Sequence, residues 1–221
     1  MARWCAQWVG GTRYEASLTK VICVGRNYAA HARELDNPIP EEPLLFLKPP
    51  SAVCDLDQPV RVPRDRGAVH FEAELALLVG KPMRNTPPEA VRASIAGVGL
   101  ALDLTLRDLQ SRLKAQGHPW ERAKAFDGAC PISPFLPTDR FPRDQPIRYS
   151  LWIDETLRQQ GDSALMLTPM EELVAFMSQQ FTLEPGDVIL TGTPEGVGPL
   201  EPGQALRLDL ANKLTFSTQT N

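Results

Sequence analysis

Proline is the residue that most restricts how this chain can fold. It occurs 21 times in 221 residues and is scattered along the sequence rather than gathered in one segment. Because proline interrupts helices and lacks the backbone N–H that a sheet interior needs, this distribution favours many short strands, turns and irregular connections over a helical bundle. The length suggests one large domain with a sizeable core, with two small domains as the alternative.

Apolar runs and capping signals predict the main elements. Strands are expected at 20–25, 44–50 and 97–104, in a hairpin beginning at 147, and in two runs after 183. Helices are expected at 27–35 with Asn27 as N-cap, from 86 onward, at 104–117, and at 168–180 with Thr168 as N-cap. Strands and helices do not alternate regularly, and no G-x-G-x-x-G follows a strand. The pattern therefore indicates a strand-rich α+β fold rather than a doubly wound sheet.

Composition argues against several classes of protein. The net charge is −4, which offers no basic footprint for nucleic acid. No apolar run reaches the length of a membrane span, and the first residues lack the apolar region of a signal peptide. The four cysteines form no C-x-x-C pair and are expected to be reduced thiols. We therefore expect a cytoplasmic protein without nucleic-acid or membrane partners.

Two carboxylates stand inside an apolar strand, HFEAELALLVG, at residues 70–80. Residues two apart on a strand point to the same face, so Glu72 and Glu74 would place like charges side by side. If both faces are buried, a cation must compensate them, and carboxylate oxygens suit Mg²⁺, Mn²⁺ or Ca²⁺ rather than zinc. An exposed edge strand is the commoner explanation of such a pair taken alone. Asp103, in GLALDLT, would be a third ligand, with a capping role before Thr105 as the alternative.

Other polar residues suggest acid–base and anion-binding chemistry. His31 and Glu34 are three residues apart on a predicted helix, where a carboxylate can orient an imidazole as a general base; a surface ion pair is the alternative. Lys124 lies between two alanines and could contact a substrate anion or an oxyanion, or it could be solvated. Lys48 is expected to be a strand-end lysine that reaches solvent. The segment TGTPEGVGP at 191–199 could present backbone N–H groups to an anion, or it could be a tight connection between strands.

Six motifs follow one another in a distinctive order: GRNYAAHARE, LLFLKP, HFEAELALLVGK, ALDLTLRDLQ, WERAKAFDGACPISP and LEPGDVILTGTPEGVGP. Over roughly residues 20 to 215, this order resembles the fumarylacetoacetate hydrolase family, and most closely its small single-domain, acylpyruvase-like members. The resemblance implies a mixed β-roll with a few short helices, a homodimer, and a Mg²⁺ or Mn²⁺ ion at the site. It divides the chain into a short N-terminal segment, 1–19, and one catalytic domain, 20–221.

The resemblance also implies roles for individual residues. The metal ligands would be Glu72, Glu74 and Asp103. His31 and Glu34 would activate water, and Lys124 would be a catalytic lysine that contacts the substrate. Thr193 would contact the substrate carboxylate, and Gln110 and Arg26 would be further polar residues of the pocket.

The activity expected from this resemblance is metal-dependent hydrolysis of a C–C bond in a 3-acylpyruvate, such as acetylpyruvate or fumarylpyruvate, to pyruvate and a carboxylic acid. His31, held by Glu34, would deprotonate the attacking water, while Lys124 would stabilise the oxyanion. The same site could instead decarboxylate or tautomerise oxaloacetate, or isomerise or hydrate a related 2-oxo acid. The alternative from another class is a non-catalytic dimer that binds a small 2-oxo acid.

Overall fold

Short strands dominate the computed structural model, which describes residues 4–221. The strands within that range are β1 (Cys5–Gln7), β2 (Arg13–Ser17), β3 (Val21–Gly25), β4 (Leu44–Lys48), β5 (Val53–Asp55), β6 (Val69–Phe71), β7 (Ala73–Val79), β8 (Ile95–Leu102), β9 (Thr105–Leu106), β10 (Cys130–Ile132), β11 (Leu136–Pro137), β12 (Arg148–Ile153), β13 (Thr156–Asp162), β14 (Val188–Leu190), β15 (Gly198–Pro199), β16 (Ala205–Leu210) and β17 (Leu214–Gln219). The α-helices are α1 (Ala29–Glu34), α2 (Pro88–Val91), α3 (Arg107–Ala115), α4 (Glu121–Lys124) and α5 (Met170–Gln180).

The largest sheet is mixed and carries the centre of the molecule. Its strand order is β4-β3-β14-β7-β8-β10-β5, with β11 paired to β8. The pairs β3–β14 and β5–β10 are parallel, and the other pairs along this path are antiparallel. Every residue of β7 is buried, so this strand is covered on both faces. The expected strand-rich α+β fold, a mixed roll with a few short helices, is confirmed.

A second sheet, β13-β12-β16-β17, packs its apolar face onto the first. Tyr149, Leu151 and Ile153 alternate along β12 and are all buried in the same core as Leu75 and Leu100 of the central strands. The period-2 pattern of IRYSLWID had predicted this strand, and the hairpin from β12 to β13 is confirmed.

Two predicted helix caps are wrong. Asn27 precedes α1, but its side chain makes no capping hydrogen bond. Its amide instead donates to the backbone oxygens of Thr168 and Thr191, at 3.1 Å and 2.9 Å, and accepts from the Thr168 N–H at 2.8 Å. Helix α5 begins one residue after Pro169, and the Thr168 side chain does not cap it. A buried Asn27 therefore ties together two distant loops beside α1, rather than the helix end next to it.

The N-terminal hairpin β1–β2 borders the central sheet. The backbone N–H of Phe135 donates to the carbonyl of Gln7 at 2.7 Å, and Trp8 forms a bridge with Phe135. The division of the chain into 1–19 and 20–221 stays a prediction. Among the helices within residues 4–221, none is long and apolar enough to cross a membrane.

Candidate metal and active site

The fold brings three buried carboxylates to one point. Glu72 lies at the break between β6 and β7, and Glu74 follows in β7, opposite Ala101 of β8. Asp103 comes directly after β8, and its backbone N–H donates to the Glu72 carbonyl at 2.8 Å. Each residue offers an oxygen, and these oxygens lie within 4.8 Å of one another. Glu72, Glu74 and Asp103 are here called the carboxylate triad.

Three basic side chains compensate the triad. The Lys124 ammonium donates to Glu72 Oε2 at 2.8 Å and to Asp103 Oδ2 at 2.6 Å. Arg107 donates to Glu72 Oε1, and the Lys48 ammonium lies 2.7 Å from Asp103 Oδ1. Lys48, Arg107 and Lys124, here called the cation triad, therefore form ion pairs with Glu72 and Asp103, whereas the ion pairs among residues 4–221 do not include Glu74. Buried carboxylates need such partners, because an unpaired buried charge costs several kcal/mol.

The pKa values of the triad follow from these contacts. Burial raises the pKa of Glu72, but the nearby charges of Lys124 and Arg107 outweigh it and hold the pKa well below its usual range. Glu74 is different, because burial and the carboxylates of Asp103 and Glu72 raise its pKa well above the usual range. Its one hydrogen-bond partner among the described residues is the Gly192 N–H, which donates to Oε2 at 2.6 Å. The region around Glu74 is therefore short of positive charge.

The donor set fits a divalent cation. Asp103 Oδ1 is buried and, within residues 4–221, receives no hydrogen bond, because the nearby Lys48 ammonium contacts it without hydrogen-bond geometry. A buried acceptor without a donor is costly unless another ligand occupies it. Together with the raised pKa of Glu74, this oxygen marks a place for an added cation. An all-oxygen set of carboxylates suits Mg²⁺ or Mn²⁺.

The interpretation of Lys48 as a solvent-reaching lysine is wrong. Its side chain is fully buried, and its ammonium donates to the backbone carbonyls of Lys124 and Ala129, the latter at 3.2 Å. Lys48 thus ties the end of β4 to the segment 124–129 as well as to Asp103. No local pattern around Lys48 indicates this contact, because the partner carboxylate lies 55 positions away in the chain.

His31 and Glu34 are placed as the helix spacing predicts. His31 is buried on α1, and its Nδ1 lies 3.3 Å from Glu34 Oε2. A carboxylate only accepts, so Nδ1 carries the hydrogen in this contact and Nε2 is the basic atom of the neutral ring. Glu34 Oε1 also accepts from the Gly196 N–H at 2.9 Å. One carboxylate therefore orients the imidazole and attaches α1 to the 191–199 loop.

Gln159 is a buried residue that sequence reasoning missed. Its Oε1 accepts from the Ala73 N–H at 2.8 Å, and its Nε2 donates to Thr193 Oγ1 at 2.8 Å and to the Pro194 carbonyl at 2.9 Å. The Thr193 hydroxyl in turn donates to the Ala73 carbonyl at 2.9 Å. These bonds form a closed ring around Ala73, which lies between two members of the carboxylate triad. The ring commits the Thr193 hydroxyl proton to the backbone.

The carboxylate triad lies at the inner end of a cavity of about 130 Å³. Of the residues predicted to contact substrate, Arg26, Gln110, Lys124 and Thr193 all line it, as does His31. Gln110 accepts from Arg107 Nη1 at 2.7 Å. Arg107 was not predicted, although it lies three residues before Gln110 on the expected helix and so shares its face. The roles assigned to Arg26, Gln110, Lys124, Thr193 and His31 stay predictions, but these side chains all line the same cavity.

Comparisons with known proteins agree with this geometry. The family described as Fumarylacetoacetate (FAA) hydrolase C-terminal matches residues 20–219. The chain is 51% identical over 197 residues to oxaloacetate tautomerase YcgM of Escherichia coli (strain K12), covering 89% of this chain and 90% of the relative. A crystal structure from Yersinia pestis CO92, assigned to the same family, has a TM-score of 0.96 and 46% identity, over 99% of this chain and 100% of that chain.

A second similar crystal structure contains a metal ion and a small organic ligand. It is fumarylpyruvate hydrolase from Pseudomonas aeruginosa in complex with Mn²⁺ and pyruvate, with a TM-score of 0.91 and 34% identity over 100% of this chain and 97% of that chain.

The expectation of acylpyruvate hydrolysis as the main activity is wrong. The relative that is 51% identical is an oxaloacetate tautomerase, whereas the fumarylpyruvate hydrolase is much more distant in sequence. Both enzymes share a fold, so the motifs alone did not separate them.

Proposed function

The chain belongs to the fumarylacetoacetate hydrolase family, and on that premise we propose that it is a divalent-metal-dependent enzyme that interconverts the keto and enol forms of oxaloacetate. The similarity to an oxaloacetate tautomerase over nine-tenths of the chain supports this substrate. Mg²⁺ or Mn²⁺ is the proposed metal, with the carboxylate triad as its ligands. The homodimer implied by the resemblance stays a prediction.

Charge balance is the observation that carries the proposal. With Glu74 deprotonated, as a metal ligand must be, the carboxylate triad and the cation triad cancel, three charges against three. A divalent ion therefore gives the inner end of the cavity a net charge of about +2, which favours an anionic substrate. A neutral complex costs less to bury than a charged one, because a net charge in a low-dielectric interior is strongly unfavourable. Oxaloacetate, which carries two carboxylates, is an anion of this kind.

A bound divalent metal supplies one kind of chemistry here, which is withdrawal of electron density from the 2-oxo group so that the hydrogens on C3 become more acidic. The protein contributes the rest. Tautomerisation moves one proton: the keto form loses a hydrogen from C3, and the oxygen on C2 gains one. No bond between carbons breaks and no water attacks, so the site needs a single acid–base group within reach of both atoms.

His31 is proposed as that group. Its Nε2 accepts the C3 proton, and the carboxylate of Glu34 stabilises the imidazolium that forms, since it accepts from Nδ1. The proton then passes from Nε2 to the oxygen on C2, which completes the enol; the reverse sequence returns the keto form. Lys124, whose pKa is held above the usual range by Asp103 and Glu72 despite burial, stays an ammonium and stabilises the negative charge that develops on that oxygen.

The test follows the ultraviolet absorbance of enol-oxaloacetate as it converts to the keto form, with Mg²⁺ and with EDTA. We expect the protein to accelerate the decay with Mg²⁺ and EDTA to remove the acceleration. Pyruvate is measured in the same samples, because decarboxylation would form pyruvate at the rate at which the enol disappears. No acceleration over buffer, or pyruvate formation that matches the decay, would contradict the proposal.

A further inference from the structure

Two cations at the outer part of the cavity have no carboxylate partner among the residues that the structure describes. Arg26 follows β3, and Lys114 lies near the end of α3; both line the cavity. Within residues 4–221, the ion pairs include neither of them. Each instead donates to a neutral oxygen in the segment after α1: Arg26 Nη1 to the Pro38 carbonyl at 3.4 Å, and Lys114 Nζ to Asn37 Oδ1.

The two side chains also lie close enough to repel each other. Partial burial and the charges of Arg26 and Arg107 lower the pKa of Lys114. Burial likewise lowers the pKa of Arg26. Arg26 has a φ of 60°, a left-handed conformation that is uncommon outside glycine. Two positive charges held close together at the cavity create a local positive potential that favours an anion.

We propose that Lys114 and Arg26 form the binding site for the second carboxylate of a dicarboxylic 2-oxo acid. The inference rests on the proposed function and extends it, because it names the group that distinguishes dicarboxylates from monocarboxylates. The first carboxylate and the 2-oxo oxygen belong at the inner end of the cavity, with the carboxylate triad. The second carboxylate is then directed outward, toward Lys114 and Arg26, which take part in no ion pair within the described part of the chain.

Lys114 is suited to exchange its partner. Its present acceptor, Asn37 Oδ1, is a neutral amide oxygen, and a hydrogen bond from an ammonium to a carboxylate is stronger than one to an amide. An arriving carboxylate therefore replaces Asn37 at a net gain. Lys114 is exposed at the cavity mouth, so it reaches this position without burying an unpaired charge.

The experiment compares two stable ligands that differ only in the group of interest. Malate and lactate both carry a 2-hydroxycarboxylate, and malate has a second carboxylate. Calorimetric titration of the Mg²⁺-loaded protein should show tighter binding of malate than of lactate. Lys114→Met should weaken malate binding about tenfold, the usual effect of losing one charge-assisted hydrogen bond, and leave lactate binding unchanged. Lys114→Arg should retain most of the preference for malate.

Arg112→Met is the matched control. Arg112 is exposed on the same helix, does not line the cavity, and its replacement removes the same charge. It should leave the binding of both ligands unchanged. The proposal is overturned if the wild type shows no preference for malate, if Lys114→Met weakens both ligands equally, or if Arg112→Met has the same effect as Lys114→Met.

Failure of the proposed function would look different. Titration needs no turnover, so a wild type that prefers malate through Lys114 but does not accelerate enol-oxaloacetate decay would contradict the tautomerase and support the subsite. A wild type that accelerates the decay, with kcat/KM unchanged in Lys114→Met, would contradict the subsite and support the tautomerase.

Discussion

Gln159 offers the sharpest test of how the site is held together. Gln159→Leu keeps a side chain of similar size but removes all three hydrogen bonds of the buried amide. The Ala73 N–H and the Pro194 carbonyl then have no partner from this side chain, and an unsatisfied buried polar group costs about 1–3 kcal/mol. For the two groups together we expect a loss of about 2–6 kcal/mol in the free energy of unfolding.

The adjacent Gln160 is the matched control for this substitution, because it is exposed on the same strand. Urea unfolding, followed by circular dichroism, should give a change within about 0.5 kcal/mol for Gln160→Leu. Since Ala73 lies between Glu72 and Glu74, Gln159→Leu should also weaken Mn²⁺ binding. If it fails to fold, Gln159→Glu, which retains the acceptor for Ala73, replaces it. An unfolding free energy equal to that of Gln160→Leu, with unchanged Mn²⁺ affinity, would refute the reasoning.

Three further predictions concern the acid–base group, the buried lysine and a thiol. His31→Ala should lower kcat for enol-oxaloacetate decay by about 10²–10⁴ with Mn²⁺ affinity unchanged, and full activity would rule out His31 as the proton carrier. Lys48→Met leaves Asp103 short of a buried cation, so metal-free protein should lose about 3–5 kcal/mol of stability; thermal unfolding should show a larger stabilisation by Mg²⁺ than in the wild type, and equal stabilisation would contradict the account. Burial, followed by Asp55, raises the pKa of Cys54 to about 11, so its thiolate is scarce at pH 8. Mass spectrometry should find its alkylation by iodoacetamide about a hundredfold slower than for a thiol of pKa 9, and alkylation as fast as that of glutathione would contradict this.

Local patterns predicted the elements and the carboxylates. The apolar run around Glu72 and Glu74 indicated a strand but left open whether one face is exposed, and the structure shows that β7 is buried throughout. On the condition that both faces are buried, two like charges require compensation, and a cation with Asp103 as a third ligand was expected in that case. The i, i+3 spacing of His31 and Glu34 likewise predicted their contact on α1. These inferences succeed because strand and helix periodicities fix which side chains share a face.

The partners that close the site lay beyond such patterns. Three of these residues contact distant parts of the chain. Lys48, Gln159 and Asn27 contact residues that lie 55, 86 and 141 positions away in the sequence, respectively. Their own neighbours in sequence favoured a solvated lysine, a hairpin glutamine and a helix cap. Only the packing of β4, β13 and the loops around α1 decides these contacts, because burial changes a polar residue from a surface group into one that must find a partner.

The reaction itself was the part that residue types could not decide. A carboxylate triad, a histidine–glutamate pair and a buried lysine serve both hydrolysis and tautomerisation, since both pass through negative charge on the oxygen of a 2-oxo acid. Hydrolysis adds water to the substrate, whereas tautomerisation only moves a proton within it. Which of the two occurs depends on how the substrate lies against His31. The similarity to an oxaloacetate tautomerase at 51% identity, rather than any single motif, corrected the expected activity.

The proposed activity requires three carboxylates to share one hard cation. Titration of the metal-free protein with Mn²⁺, with free Mn²⁺ measured by electron paramagnetic resonance, tests this directly. The wild type should bind one Mn²⁺ per chain, and Glu74→Gln should weaken binding by more than about tenfold. The exposed Glu195→Gln should bind like the wild type. A wild type that binds no Mn²⁺, or a Glu74→Gln variant that binds it as tightly as the wild type, would contradict the central claim.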